Sequence, residues 1–147
     1  MTVAKELKLD VPPELTAQIQ LRLSTPEMGF GPANELFNRG TDFTAMVCYN
    51  DVSAIGAIRA LMDHGIRVPE DVSVVGFDDI QNAAYHNPSL TTIRQPLQHM
   101  GIVAARILLQ RIRGQATFPD YVPIQPELVT RESTSPLGPR RTRAKRA

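Results

Sequence analysis

Phe43-Thr44-Ala45-Met46-Val47-Cys48-Tyr49-Asn50-Asp51-Val52-Ser53-Ala54-Ile55-Gly56-Ala57-Ile58-Arg59-Ala60-Leu61-Met62-Asp63-His64-Gly65 decides the fold. Its first seven residues are almost continuously apolar, which suits a strand buried on both faces of a parallel sheet. The period then changes. Asn50-Asp51 offers a helix cap, and Ile55, Ile58, Leu61 and Met62 fall on one helical stripe. Gly65 stands where a left-handed C-terminal cap is wanted, and His64 is placed to meet the last carbonyls of the helix.

Working outward, Val68-Pro69-Glu70-Asp71 is a turn into a second strand, Val72-Ser73-Val74-Val75-Gly76-Phe77, which stops at Asp78-Asp79. A helical turn around Asn82-Ala83-Ala84-Tyr85 leads through Pro88 to a further strand, Leu90-Thr91-Thr92-Ile93-Arg94. A long helix is predicted from Pro96 to Arg113, with Leu97, Met100, Ala104, Ile107, Leu108 and Arg111 along one side and Gly114 as its stop. Prolines break up the next stretch, and Leu128-Val129-Thr130-Arg131 reads as a final strand. Upstream, Gln18-Ile19-Gln20-Leu21-Arg22-Leu23 alternates with period two and predicts a short strand. Phe30, Ala33, Leu36 and Phe37 then repeat at helical spacing, with Pro32 expected in the first turn and Arg39-Gly40 as the stop. Strands alternating with helices give an α/β class, a parallel sheet covered on both faces.

The composition fits one globular domain: 147 residues, 42% hydrophobic and 21% charged. No apolar run is long enough to span a bilayer, and the opening Met1-Thr2-Val3-Ala4-Lys5-Glu6 lacks the order of a secretory signal, so a cytoplasmic protein without membrane partners is expected. Cys48 is the single cysteine, and its flanks suit a small buried hydrophobe. The net charge of +1 conceals an asymmetry. Five of the 16 basic residues lie in the last eight positions, leaving 11 against 15 acidic residues before them, a net −4. Residues 136–147 are expected to be a disordered basic tail.

In a parallel sheet, ligands bind beyond the carboxyl ends of the strands. The polar residues there are Asn50-Asp51, Asp78-Asp79 and Gln95. A carboxylate accepts from hydroxyls and an amide both gives and takes, so such a set suits a neutral polyol. Helix capping by Asn50 or Asp51 and turn formation by Asp78 or Asp79 are the structural alternatives. Catalysis is not expected. The Asp78-Asp79 pair has no histidine within a few positions, and His64, His86 and His99 lack metal-ligand spacing. Met28-Gly29-Phe30-Gly31-Pro32-Ala33-Asn34 lacks the third glycine of a dinucleotide loop. No cofactor is implied.

Three ordered segments carry a family resemblance: residues 46–61, then 68–79, then Pro88-Ser89-Leu90-Thr91-Thr92-Ile93-Arg94-Gln95-Pro96. Together with the late Glu127-Leu128-Val129 and Arg131-Glu132-Ser133-Thr134, they resemble the LacI/GalR family of bacterial transcriptional regulators, in the C-terminal half of the effector-binding core. The resemblance implies a periplasmic-binding-protein-like fold of two three-layer (αβα) lobes, with a small sugar or nucleobase-like effector in the cleft. By matching position, Asn50, Asp78 and Gln95 would contact the ligand, Asp51 would cap and position its helix, and Ile55, Arg59, Met62 and Tyr85 would lie in a homodimer interface. Residues 1–95 would be part of the C-terminal lobe, 96–118 a helix of the other lobe, and 119–135 a return segment with the final strand. The lobe is expected to be incomplete at its N-terminus, without its first strand and the cleft arginine that commonly follows. The DNA-binding headpiece through which the family reads operators is also expected to be absent, and weak or absent ligand binding by this chain alone follows. Ser24 stands ahead of Thr25-Pro26-Glu27, where many members place an aromatic against the ligand. A transport-type sugar-binding protein and a dimerisation remnant without ligand are the alternative readings.

Overall fold

A computed structural model of the chain describes residues 6–9, 11–19, 24–114 and 122–138. The element order is α1 (Glu27–Asn38), β1 (Ala45–Val47), α2 (Asp51–Asp63), β2 (Ser73–Val75), α3 (Gln81–Tyr85), β3 (Thr92–Arg94), α4 (Leu97–Ile112) and β4 (Glu127–Val129). Strand β1 pairs parallel with β2, Met46 opposite Val74. The parallel arrangement continues through bridges Val75 to Thr91 and Asp78 to Arg94, while β4 pairs antiparallel with β3.

The helix that opened the sequence argument forms for the reasons its residues suggest. Asn50 is its N-cap: Oδ1 accepts from the Ser53 backbone N–H, and Ser53 Oγ accepts from the Asn50 N–H. Gly65, at φ +71°, lets the chain leave α2 in the left-handed region. Ile58 and Leu61 are fully buried with Val72, Val74 and Leu90, whereas Met62 is 52% exposed.

Helix α1 packs against α2 at a close crossing. A side chain at Gly29 would place its Cβ 1.7 Å from the Ser53 carbonyl oxygen, and one at Gly56 would lie 1.8 Å from that of Pro26. Helix α1 starts three residues before the predicted Phe30, since Thr25 and Pro26 already turn the chain, so Pro32 lies inside it and beyond the first turn. There the proline removes one backbone donor, a cost offset by burying Gly29, Ala33 and Leu36 against α2. The His64 ring does not face the helix carbonyls. It stacks on Phe37 at 3.8 Å, and its Nε2 meets Asn34 Oδ1 at 2.6 Å, which pins the two helices together.

Two other expectations change. The strand at residues 43–49 is shorter and has one open face. Met46 and Cys48 pack toward the helices, while Val47 and Tyr49 on the other side are exposed, because no helix covers that side among the described residues. The described residues therefore supply the sheet and one helical layer. Burial pushes the Cys48 thiol up to about 12, so it is an unreactive core group. Helix α4 matches its predicted limits within a residue, and none of its residues is buried among the described residues. The predicted strand at residues 18–23 lies largely outside the described residues, and Gln18 and Ile19 carry no strand. The predicted tail beyond residue 138 lies outside them altogether.

Candidate functional site

The carboxyl ends of β1, β2 and β3 meet in one place. The Asp51 N–H donates to the Phe77 carbonyl at 2.9 Å, joining the Asn50-Asp51 corner to the end of β2. The Asp78 N–H donates to the Ile93 carbonyl at 2.9 Å, joining β2 to β3. Gln95, immediately beyond β3, donates from Nε2 to Asp78 Oδ1 at 2.7 Å. Two of the three residues picked from strand ends are thus in direct contact.

Asn50 plays a double part. Its Oδ1 is committed to capping α2, while Nδ2 donates to Ser24 Oγ at 3.3 Å. Asp51 does not cap the helix. Its fully buried carboxylate instead accepts from the Ile80 N–H at 2.8 Å and from the Thr92 hydroxyl at 2.5 Å. This bracket joins α2 to β3 and to the loop after β2. Gly76 must be a glycine here, because a Cβ would lie 2.2 Å from Asp51 Oδ1. Burial pushes the Asp51 carboxyl up, the bonds from Thr92 and Ile80 act against it, and the charges of Asp78 and Asp79 add to the rise.

Asp78 and Asp79 both have positive φ, 112° and 54°. This left-handed corner turns the two carboxylates toward different partners, Asp78 toward Gln95 and Asp79 toward two guanidinium groups. Burial would raise the Asp79 carboxyl, but hydrogen bonds and charge from Arg131 and Arg94 outweigh it and hold the group below its ordinary value. A depressed folded-state value gives stability that is complete above the ordinary aspartate range and lost as pH falls through the folded value. On acidification from about pH 6 to about pH 3, the wild-type thermal midpoint should therefore fall further than that of Asp79→Asn. Parallel curves would show that the ion pairs contribute nothing.

Sequence reasoning placed Asp79 among the strand-end polar residues but without its partners, and missed Arg94 and Arg131 as members of this site. The available signal was Arg131, a cation inside an otherwise short polar and apolar motif. Of the four residues matched to a dimer surface, Met62 and Tyr85 are 52% and 82% exposed, the Arg59 side chain is exposed and pairs with Asp63, and Ile55 is half-buried. Among the described residues no group of histidine, cysteine and carboxylate side chains could hold a metal ion. No helix among them is long and apolar enough to cross a membrane.

A sequence pattern for the periplasmic binding protein-like domain matches residues 4–134. The chain belongs to that family, as part of a LacI/GalR-type effector-binding domain. The HTH-type transcriptional repressor PurR of Yersinia pestis bv. Antiqua is 40% identical over 112 residues, 76% of this chain and 33% of the relative. The solved transcriptional regulator CelR–cellobiose complex superposes with a TM-score of 0.80 at 32% identity, covering 90% of this chain and 39% of that one. The lac repressor dimer bound to operator and the anti-inducer ONPF gives 0.71 at 37% identity, covering 78% of this chain and 39% of that one. The LacI/GalR-type chain thus spans about a third of the length of its curated relative.

Proposed function

We propose that this LacI/GalR-type chain is the effector-sensing portion of a cytoplasmic transcriptional regulator, and that it takes a small sugar-like or nucleoside-like ligand at the ends of β2 and β3. The observation that carries this reading is the Asp78 carboxylate, turned out of the sheet by left-handed backbone and met by Gln95. A ligand hydroxyl can donate to Asp78 while another accepts from Gln95 Nε2, so a polyol replaces the internal contact bond for bond. Asn50 completes the set from the α2 cap, with Nδ2 free to leave Ser24 for a ligand oxygen. Binding is non-covalent, and no step of catalysis is assigned.

The remaining parts of the proposal concern the assembled regulator. Ile55, Arg59, Met62 and Tyr85 form a surface for a homodimer partner. Helix α4, with no residue buried among the described residues, packs in a second lobe. DNA contact belongs to a DNA-binding headpiece and not to the Asp78–Gln95 site. The bound cellobiose named for CelR supports a carbohydrate as the first ligand to try.

Titration of the 147-residue chain with cellobiose, D-glucose, D-ribose and adenosine, followed by NMR, tests the reading. Binding weaker than about 1 mM is expected, because each charged hydrogen bond supplied by the rest of a cleft is worth about 1.5–3 kcal/mol. Asp78→Asn should weaken it at least about tenfold, the loss of one such bond, at an unchanged thermal midpoint. If none of the four compounds shifts a resonance, or if Asp78→Asn binds as well as wild type, the assignment fails.

A further inference from the structure

The Asp78–Gln95 pair has a twin beside it. One residue further along, Arg94 Nε donates to Asp79 Oδ2 at 2.6 Å, and the Asp78–Arg94 bridge sets the two pairs next to each other. A third segment joins from the far end of the chain. Arg131 Nη2 donates to Asp79 Oδ1 at 2.6 Å, Arg131 Nη1 to the Leu90 carbonyl at 2.8 Å, and the Arg131 backbone N–H to Thr91 Oγ1 at 2.8 Å. The Asp79 and Arg131 side chains are 9% and 16% exposed, so this contact is made largely out of water, where a charge-assisted bond is strong.

A carboxylate held on each oxygen by a different guanidinium cannot rotate without breaking one bond. Left-handed backbone at two successive aspartates persists only where its surroundings hold it. On one side of the corner the Ile80 N–H is fixed by Asp51, and on the other Asp79 is fixed by the two arginines. Arg94 ends β3, which runs into α4, and Arg131 follows β4, which returns to the sheet.

We propose that Asp79 is a positioning residue for the ligand site: held by Arg94 and Arg131, it keeps the left-handed corner that presents Asp78 to Gln95, and it ties that site to the strands leading out to α4 and back. Its functional meaning rests on the ligand site proposed above; its geometry does not. A ligand that moves Gln95 off Asp78 then acts on the Asp79–Arg94 pair one residue away, and through it on Arg131.

Backbone and side-chain amide NMR on the 147-residue chain tests this. In Asp79→Asn, hydrogen exchange at the Asp78 and Ile80 amides should quicken about tenfold, the size of a lost charged hydrogen bond. Exchange at Arg39, whose amide bonds to the Glu35 carbonyl at the C-terminal end of α1 and opens locally without the corner, should change less than about twofold. The Gln95 side-chain amide resonances should shift as well. Arg131→Lys keeps the charge but loses the forked contact, and should fall between Asp79→Asn and wild type. It carries the same expectation should Asp79→Asn fail to fold. Glu132→Gln, which weakens a contact of the same return segment with Ser89, should leave Asp78 and Ile80 at wild-type rates. Equal acceleration at all three amides, no acceleration, or the same local pattern in Glu132→Gln would overturn the proposal. The four-compound titration separates the two claims. Where wild type binds one of them, Asp79→Asn should bind it about tenfold more weakly; where none binds, the ligand reading fails and the exchange pattern alone decides the positioning role.

Discussion

Asp51→Ala is expected to destabilise the chain by about 3 kcal/mol, because it orphans a half-buried backbone N–H and a fully buried hydroxyl at one stroke. The two donors are the Ile80 amide and Thr92 Oγ1, and Thr92 is fully buried. Chemical denaturation should show the full loss, whereas Thr92→Val, which removes one donor together with its need, should cost about 1 kcal/mol. Asp51→Asn preserves the shape and one acceptor and should fall between them. It should also remove a pH dependence. The folded-state value of Asp51 is raised, so the stability it allows is fully present when the group is protonated and falls as pH rises from the ordinary carboxylate range through the raised value. That trend is opposite in sign to the one expected for Asp79. A loss below about 1 kcal/mol in Asp51→Ala would mean that the bracket does not hold the strand ends.

Gly56→Ala should cost a comparable amount, about 3 kcal/mol, at the upper end of what overpacking usually does. The new Cβ would sit 1.8 Å from the Pro26 carbonyl oxygen, a backbone atom that moves only if α1 moves. Helix α1 contributes Ala33 and Leu36 to the core, so displacing it opens the contact along its length. Gly101→Ala is the control. It lies within α4, is exposed, and has nothing within 4 Å of the added carbon, so the better helix propensity of alanine should raise stability by about 0.5–1 kcal/mol. Denaturation midpoints of the two variants should thus move in opposite directions. Equal shifts would contradict the close crossing.

The sequence carried the fold wherever local chemistry and tertiary context agree. Helix α2 has its cap, its apolar stripe and its closing glycine in consecutive positions, and it forms within a residue of where they place it. The strand ends were legible for the same reason: Asp78 and Gln95 each follow an apolar run, and parallel pairing brings them to one edge. What escaped was long-range. Nothing near Asp51 in sequence announces Thr92 and Ile80 as its partners, so it reads as a second cap when its carboxylate is a bracket. Arg131 reaches Asp79 across 52 residues, and no periodicity reports that. Pro32 was misplaced because the helix starts at Glu27 on the strength of the Thr25-Pro26 turn, which competes with the apolar spacing that begins at Phe30. The exposure of Val47 and Tyr49 was not legible either, since a run of apolar residues states that a strand is to be covered and not by what.

The most direct test of the ligand site is to follow the Gln95 side-chain amide by NMR while cellobiose is added to the 147-residue chain. The account predicts that its resonances move along a saturating curve, because a ligand hydroxyl takes the place of Gln95 Nε2 on Asp78, and that the Asp78 and Asp79 backbone amides move with it. Saturable changes elsewhere, with Gln95, Asp78 and Asp79 unmoved, would place the ligand away from the ends of β2 and β3 and contradict it.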